Sequence, residues 1–273
     1  MYMVISGIRR IVAAVGGDPP GTAVVACHNH RVYETEAIVL RSIRYGEADN
    51  VLTLYTRERG RVSAMAKGAR RAKSKMGGRL QPGVRVYLGL HEGKGEMSTV
   101  RQAQVVESHA GLWIEGYRLR AAGSVLEAGM RVLGEEEANE GAYNLLTRAL
   151  ALLAHVPPRD TPPRHEPIVL GLHAKLLVVA GLLPRLATCV GCGSEGPFVA
   201  FSARVGGALC GECASLGEPV DAVVLGAFAE LIGRPLAEAA EACPPPAAAG
   251  VERIVSLVLQ EHLGVVLRSA APL

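Results

Sequence analysis

The chain has 273 residues, enough for two domains with separate cores, with 49% hydrophobic residues, only 4% aromatic residues and a net charge of +3. It contains no run of about 18 uninterrupted apolar residues, so no transmembrane helix is expected, and the apolar stretch at 8–15 runs into Gly16-Gly17-Asp18-Pro19-Pro20 rather than a signal-cleavage site. The charge is unevenly divided: residues 31–108 hold 15 Lys+Arg against 8 Asp+Glu, whereas residues 109–273 hold 12 against 17. The first part is therefore built to meet a polyanion and the second is not.

Residues 1–30 are weakly patterned and read as a flexible N-terminal extension. Their end, Cys27-His28-Asn29-His30, holds too few ligands for a metal site. From Tyr33 the pattern becomes extended. Five short strands are expected near 37–40, 50–55, 61–66, 84–90 and 97–106, punctuated by Tyr45-Gly46-Glu47-Ala48-Asp49, Arg59-Gly60 and the glycines around Lys94. Five strands without intervening helices predict a small barrel, and an OB-fold over residues 31–108 is the natural candidate.

Within that region, residues 57–79 carry nine cations, Arg57, Arg59, Arg61, Lys67, Arg70, Arg71, Lys73, Lys75 and Arg79, and one acid, Glu58. Such a density repels itself on folding, and an anionic partner relieves it. The plain alternative is a solvated loop. No G-x-x-x-x-G-K-[ST] occurs, so a phosphate-cradling P-loop is not indicated. With Arg41 and Arg44 on the first strand, these cations (Arg59 aside) form the expected DNA-binding set. Tyr45, Tyr55 and Tyr87 are the barrel's candidates for base stacking, with core packing an equal alternative.

Beyond Ser108 the period changes to helical, defining an expected helical domain over 109–273. Helices are predicted at 112–133, 142–155, 165–183, 220–232 and 251–263. Pro184 is expected to end the third, and Cys243-Pro244-Pro245-Pro246 to separate the last two. Glu135-Glu136-Glu137 reads as a solvated turn between helices.

Between the third and fourth helices lie Cys189-x-x-Cys192 and Cys210-x-x-Cys213, separated by seventeen residues. Each pair puts two thiolates on one tight turn, and two such turns supply the four sulfurs of a closed structural Zn²⁺ site. A zinc ribbon at about 186–216, with short strands at 197–201 and 208–210, is expected to interrupt the helical domain. Four thiolates leave no position for water, which disfavours a catalytic metal. Paired disulfides would need an oxidising compartment, and thioredoxin-like chemistry would need a βαβ setting. Cys27 and Cys243 read as incidental.

Several of these segments resemble the RecO family of bacterial recombination mediators. They are Thr35-Glu36-Ala37-Ile38-Val39-Leu40 with Tyr45-Gly46-Glu47-Ala48-Asp49, Lys67-Gly68-Ala69-Arg70-Arg71, Gly78-Arg79-Leu80-Gln81-Pro82, Gly181-Leu182-Leu183-Pro184, and Phe201-Ser202-Ala203-Arg204-x-Gly206-Gly207-x-x-Cys210. The resemblance spans about residues 33–268. It implies a cytoplasmic, nucleoid-associated bacterial protein that binds single- and double-stranded DNA and anneals complementary strands. It further implies that the protein acts with RecR to promote RecA loading on DNA coated by single-stranded DNA-binding protein, whose C-terminal tail would dock on the helical domain. A docking site for that tail needs an apolar groove and a cation for the carboxylate. Arg118, Arg120 and Lys175 are candidates by charge alone.

Two other classes compete with this reading. A zinc-dependent nuclease or deaminase would need an open metal site or an H-x-E followed by P-C-x-x-C, which is absent, so a non-enzymatic protein is expected. A sequence-specific zinc-ribbon transcription factor is the alternative, but a flexible Lys/Arg loop suits backbone contacts better than base edges.

Overall fold

The computed structural model describes residues 32–93, 95 and 97–267. The extension at 1–30, with Cys27, lies outside the described residues. The order of elements is β1 (Val32–Tyr45), β2 (Asp49–Thr56), β3 (Gly60–Ala66), β4 (Arg85–His91), β5 (Ser98–Glu107), α1 (Gly116–Val132), α2 (Glu140–His155), α3 (Pro167–Val179), β6 (Phe198–Ser202), β7 (Gly207–Cys210), β8 (Glu218–Pro219), α4 (Ala222–Gly233), α5 (Ala239–Ala242) and α6 (Pro245–Leu263).

The first five strands close into a barrel in the order β1-β2-β3-β5-β4, with β4 returning to β1 and β3 meeting β5 in parallel. This is OB-fold topology, as the strand pattern predicted. Inward residues Ala37, Val39, Leu52, Leu54, Leu80, Val86, Leu88 and Leu90 fill it. At the β1 bulge between Val39 and Arg41 the register shifts. Outward-facing Ile38, Leu40 and Tyr55 belong instead to the helical core, among Val125, Leu146, Leu150 and Leu172. The barrel and the helices thus share one apolar seam.

Polar contacts reinforce the seam. The Tyr143 hydroxyl donates to Glu36 Oε2 at 3.1 Å, and Arg85 donates to the same oxygen at 3.0 Å. Glu135-Glu136-Glu137 is the exposed turn between α1 and α2, and it also touches the barrel: Glu136 N donates to Arg61 O at 3.0 Å, and Arg61 pairs with Glu135 at 3.2 Å. The backbone of Glu137 crosses Gly60 so closely that a Cβ there would lie 2.0 Å from its carbonyl oxygen. Gly60 also has φ +65°, so both space and conformation require glycine. Burial, with Glu137 as the lesser cause, pushes the Tyr55 phenol up to about 12.

The helices follow the sequence pattern with differences at their ends, the first beginning at Gly116 rather than residue 112, after a separate 3₁₀ turn at Ala110–Trp113. The third stops at Val179, not at Pro184. Gly181, with φ +72°, turns the chain, and Leu182 N returns to Leu177 O at 2.7 Å, the Schellman geometry. The last begins at Pro245 rather than residue 251, because proline is well suited to a first helical turn, which has no partner for its missing N–H. The three-stranded sheet β7-β6-β8 sits between α3 and α4.

Gly60→Ala is expected to cost about 3 kcal/mol, since Glu137 must move and the backbone is strained. Chemical denaturation checks this, and Gly46→Ala, whose Cβ meets nothing within 4 Å at similar φ, should cost less.

Candidate nucleic-acid interface and metal centre

The basic segment divides into two populations by what lies near it. Arg57 Nε donates to Glu140 Oε1 at 3.1 Å, and Arg61 pairs with Glu135. Both therefore reach acids across the seam with the helices, so the cations from Lys67 onward are the better exposed part of the expected DNA-binding set. Arg59 lies 3.8 Å over the Tyr33 ring and pairs with Glu92. Arg79 Nη1 donates to Ala103 O at 2.8 Å while the residue remains exposed.

The remaining cations gather near the β1–β2 hairpin. The loop after β3 is tied to that hairpin by three hydrogen bonds: Gly68 N to Asp49 Oδ1 at 2.7 Å, Arg70 N to Ala48 O at 2.9 Å, and Arg70 Nη2 to Gly46 O at 2.5 Å. Arg41 and Arg44 lie on the β1 arm of the same hairpin. Arg41, Arg44, Lys67, Arg71, Lys73 and Lys75 are exposed, and none makes an ion pair among the described residues. Asp49, the hairpin's acid nearest the loop, is engaged by a backbone N–H and does not neutralise a loop cation. The surface left is a positive one carried by a backbone-anchored loop, suited to a row of phosphates.

The four cysteines come together as their spacing predicted. Their sulfurs lie within 4.8 Å of one another, with Cys192 Sγ and Cys210 Sγ 3.6 Å apart. Cys189 and Cys192 flank a knuckle closed by Gly193 N to Cys189 O at 2.9 Å and Cys189 N to Ser194 O at 2.8 Å. Gly191 is required in it, because a Cβ would stand 2.8 Å from Cys213 Sγ. Cys210 ends β7, and Cys213 lies on the short 3₁₀ helix Gly211–Leu216 that follows. Hydrogen bonding, led by the Cys210 N–H at 3.4 Å, pulls the Cys189 thiol down to about 6. Burial and the neighbouring sulfurs push Cys213 up to about 12. Four thiolates this close repel one another, and a dication relieves that repulsion, so the donor set fits a soft divalent metal ion. Arg185 O accepts from Ala208 N at 2.9 Å and Arg185 N donates to Gly206 O at 2.9 Å, which joins the cluster's sheet to the chain leaving α3.

The three tail-binding candidates are dispersed in role. Arg118 is only 5% exposed, and its Nη1 donates to Gly111 O at 3.1 Å. It is a structural clamp, so its assignment to a partner is corrected. Lys175 Nζ donates to Ile232 O at 2.7 Å, and burial lowers its pKa. Arg120 is exposed on α1 beside Leu119. The sequence reading missed the exposed apolar group Trp113, Ile114 and Leu119 just before and within α1. Its only sequence signal is the short apolar run Leu112-Trp113-Ile114, ended by Glu115.

Substituting one ligand should separate a metal site from a chance cluster. Cys210→Ser is expected to lose bound metal, read by atomic emission on the purified protein, and about 3 to 5 kcal/mol of stability. Cys243→Ser, in the helical core away from the cluster, should retain the metal.

Comparison with known proteins agrees with this architecture. A family model described as Recombination protein O N terminal matches residues 31–109, and one described as Recombination protein O C terminal matches residues 115–271. The DNA repair protein RecO of Rubrobacter xylanophilus (strain DSM 9941 / JCM 11954 / NBRC 16129 / PRD-1) is 35% identical over 238 residues, covering 85% of this chain and 91% of that protein. Among the described residues no helix is long and apolar enough to cross a membrane. A closed five-stranded barrel carrying unpaired cations, a helical domain interrupted by four clustered cysteines, and matches to both halves together place the chain in the recombination protein O family.

Proposed function

We propose that this protein is a non-enzymatic DNA-binding mediator of bacterial recombinational repair that anneals complementary strands. The observation that carries the reading is the loop at residues 67–75, whose cations project from a backbone held by Asp49, Ala48 and Gly46. The proposed phosphate contacts are Arg41, Arg44, Lys67, Arg70, Arg71, Lys73, Lys75 and Arg79. Such cations release counterions from each strand they meet, and two strands screened by one surface repel each other less. That lowers the barrier to pairing without any bond being made or broken, so no catalytic group is needed.

Family membership supports the rest of the proposal. On this reading RecR assists the protein in loading RecA onto strands coated by single-stranded DNA-binding protein. The tail of that coating protein would dock on the helical domain, with Arg120 the remaining candidate for its carboxylate. The ion held by Cys189, Cys192, Cys210 and Cys213 is proposed to be one structural Zn²⁺, since four thiolates form a closed site. It would supply folding energy to the module between α3 and α4 rather than chemistry. No observation favours the sequence-specific transcription-factor reading. Lys73 and Lys75 sit on an irregular loop rather than on a helix or ribbon that could enter a groove.

The test is annealing of complementary oligonucleotides coated with single-stranded DNA-binding protein, across a salt series. The wild type should anneal and lose activity steeply as salt rises. The triple variant Arg70→Glu, Arg71→Glu, Lys73→Glu should lose at least about 100-fold at low salt through removed and reversed phosphate contacts, with its unfolding transition unchanged. Absence of annealing by the wild type would overturn the reading.

A further inference from the structure

The open face of the barrel carries a feature that phosphate binding does not use. The register pairs Arg41 with Thr53, Ile43 with Val51 and Tyr45 with Asp49. It continues Val51 to Met65 and Thr53 to Ser63 on β3. Directly opposed residues share one face of a sheet, and Leu52 and Leu54, between these positions, point into the barrel. Ile43, Val51 and Met65 therefore form an apolar row across three strands on the outer surface, with Tyr45 at its hairpin end. Ile43 is 42% and Tyr45 59% exposed, while Val51 and Met65 are half-buried.

Single exposed apolar residues are ordinary. This row differs in its borders. Arg41 flanks it on β1, and the basic loop is fastened to the hairpin on which Tyr45 stands. The other three barrel tyrosines are placed otherwise, Tyr33 lying under the Arg59 guanidinium at 3.8 Å. Tyr55 is fully buried against the helices, and the Tyr87 hydroxyl donates to Glu34 at 2.8 Å in an acidic neighbourhood. Cations beside an apolar and aromatic ledge complement a ligand that offers phosphates and bare base faces together. A single strand does so, and a duplex, whose bases are stacked inside, does not.

We propose that Tyr45, with the row Ile43–Val51–Met65, is a base-stacking ledge that makes the barrel prefer single-stranded DNA to duplex. The proposal rests on the DNA-binding reading above and adds the strand selectivity and the residue that sets it. Phosphate contacts hold either form, and only the single strand gains the ledge. Because the ring has an accessible face and no sequence-specific donor pattern, the preference applies to any base.

The test measures binding by fluorescence anisotropy for three probes of equal length: oligothymidylate, an abasic deoxyribose-phosphate strand, and a duplex. Tyr45→Ala should weaken oligothymidylate binding about tenfold, leaving the abasic strand and the duplex within about twofold, because their contacts are phosphate contacts. Tyr45→Phe should retain wild-type affinity for all three. If Tyr45→Ala leaves oligothymidylate unchanged, or weakens all three probes alike, the ledge is refuted while salt-sensitive binding by the wild type keeps the phosphate reading intact. If the wild type binds none of the probes, both readings fall.

Discussion

The close passage of Glu137 over Gly60 fixes how the barrel meets the helices. With the side chain absent at residue 60, the segment 135–137 lies against the start of β3, and Ile38, Leu40 and Tyr55 enter the helical core. The outer surface of the barrel is thereby divided. One part is buried as an apolar seam whose buried area is the main stabilising term. The other, on β1, β2 and β3 beyond the bulge at Val39/Arg41, remains open. Exposed salt bridges contribute little on their own, so Arg57–Glu140 and Arg61–Glu135 serve orientation across the seam more than stability.

The same division sorts the charges. Acids at 135, 140 and 92 lie beside Arg61, Arg57 and Arg59. Among the described residues the cations from Lys67 onward make no ion pair, and Asp49 accepts from the Gly68 backbone instead. A segment that looks uniform in sequence is thus part structural clamp and part free positive surface. Gly77 lets the loop fold back on itself: a Cβ there would stand 2.6 Å from Ala69 O. The cysteine module is set apart on the chain between α3 and α4, which suits a folding role and leaves the barrel's open face unobstructed.

What could be read from the sequence was local. Alternating strand patterns gave the barrel, since inward residues such as Leu52 and Leu54 recur at period two. The cysteine quartet was legible because its spacing encodes two knuckles. The helix ends were not, because Gly181 and Pro245 act through capping geometry that hydrophobic periodicity does not report. The role of Arg57 was hidden for a different reason: its partner, Glu140, lies 83 residues away, and no local pattern names it. Arg118 was misjudged likewise, since its carbonyl partner at Gly111 exists only once the turn before α1 folds. The apolar row Ile43–Val51–Met65 became visible only through register.

On the proposed reading, the hairpin and the loop fastened to it form the DNA surface while the neighbouring arginines hold the two halves together. Amide hydrogen exchange with and without a saturating oligothymidylate strand tests it most directly. New protection is expected only at residues 41–51 and 63–79, with 57–61 and 135–140 unchanged. Protection appearing at 57–61 and 135–140 while the hairpin and loop stay unaltered would contradict it.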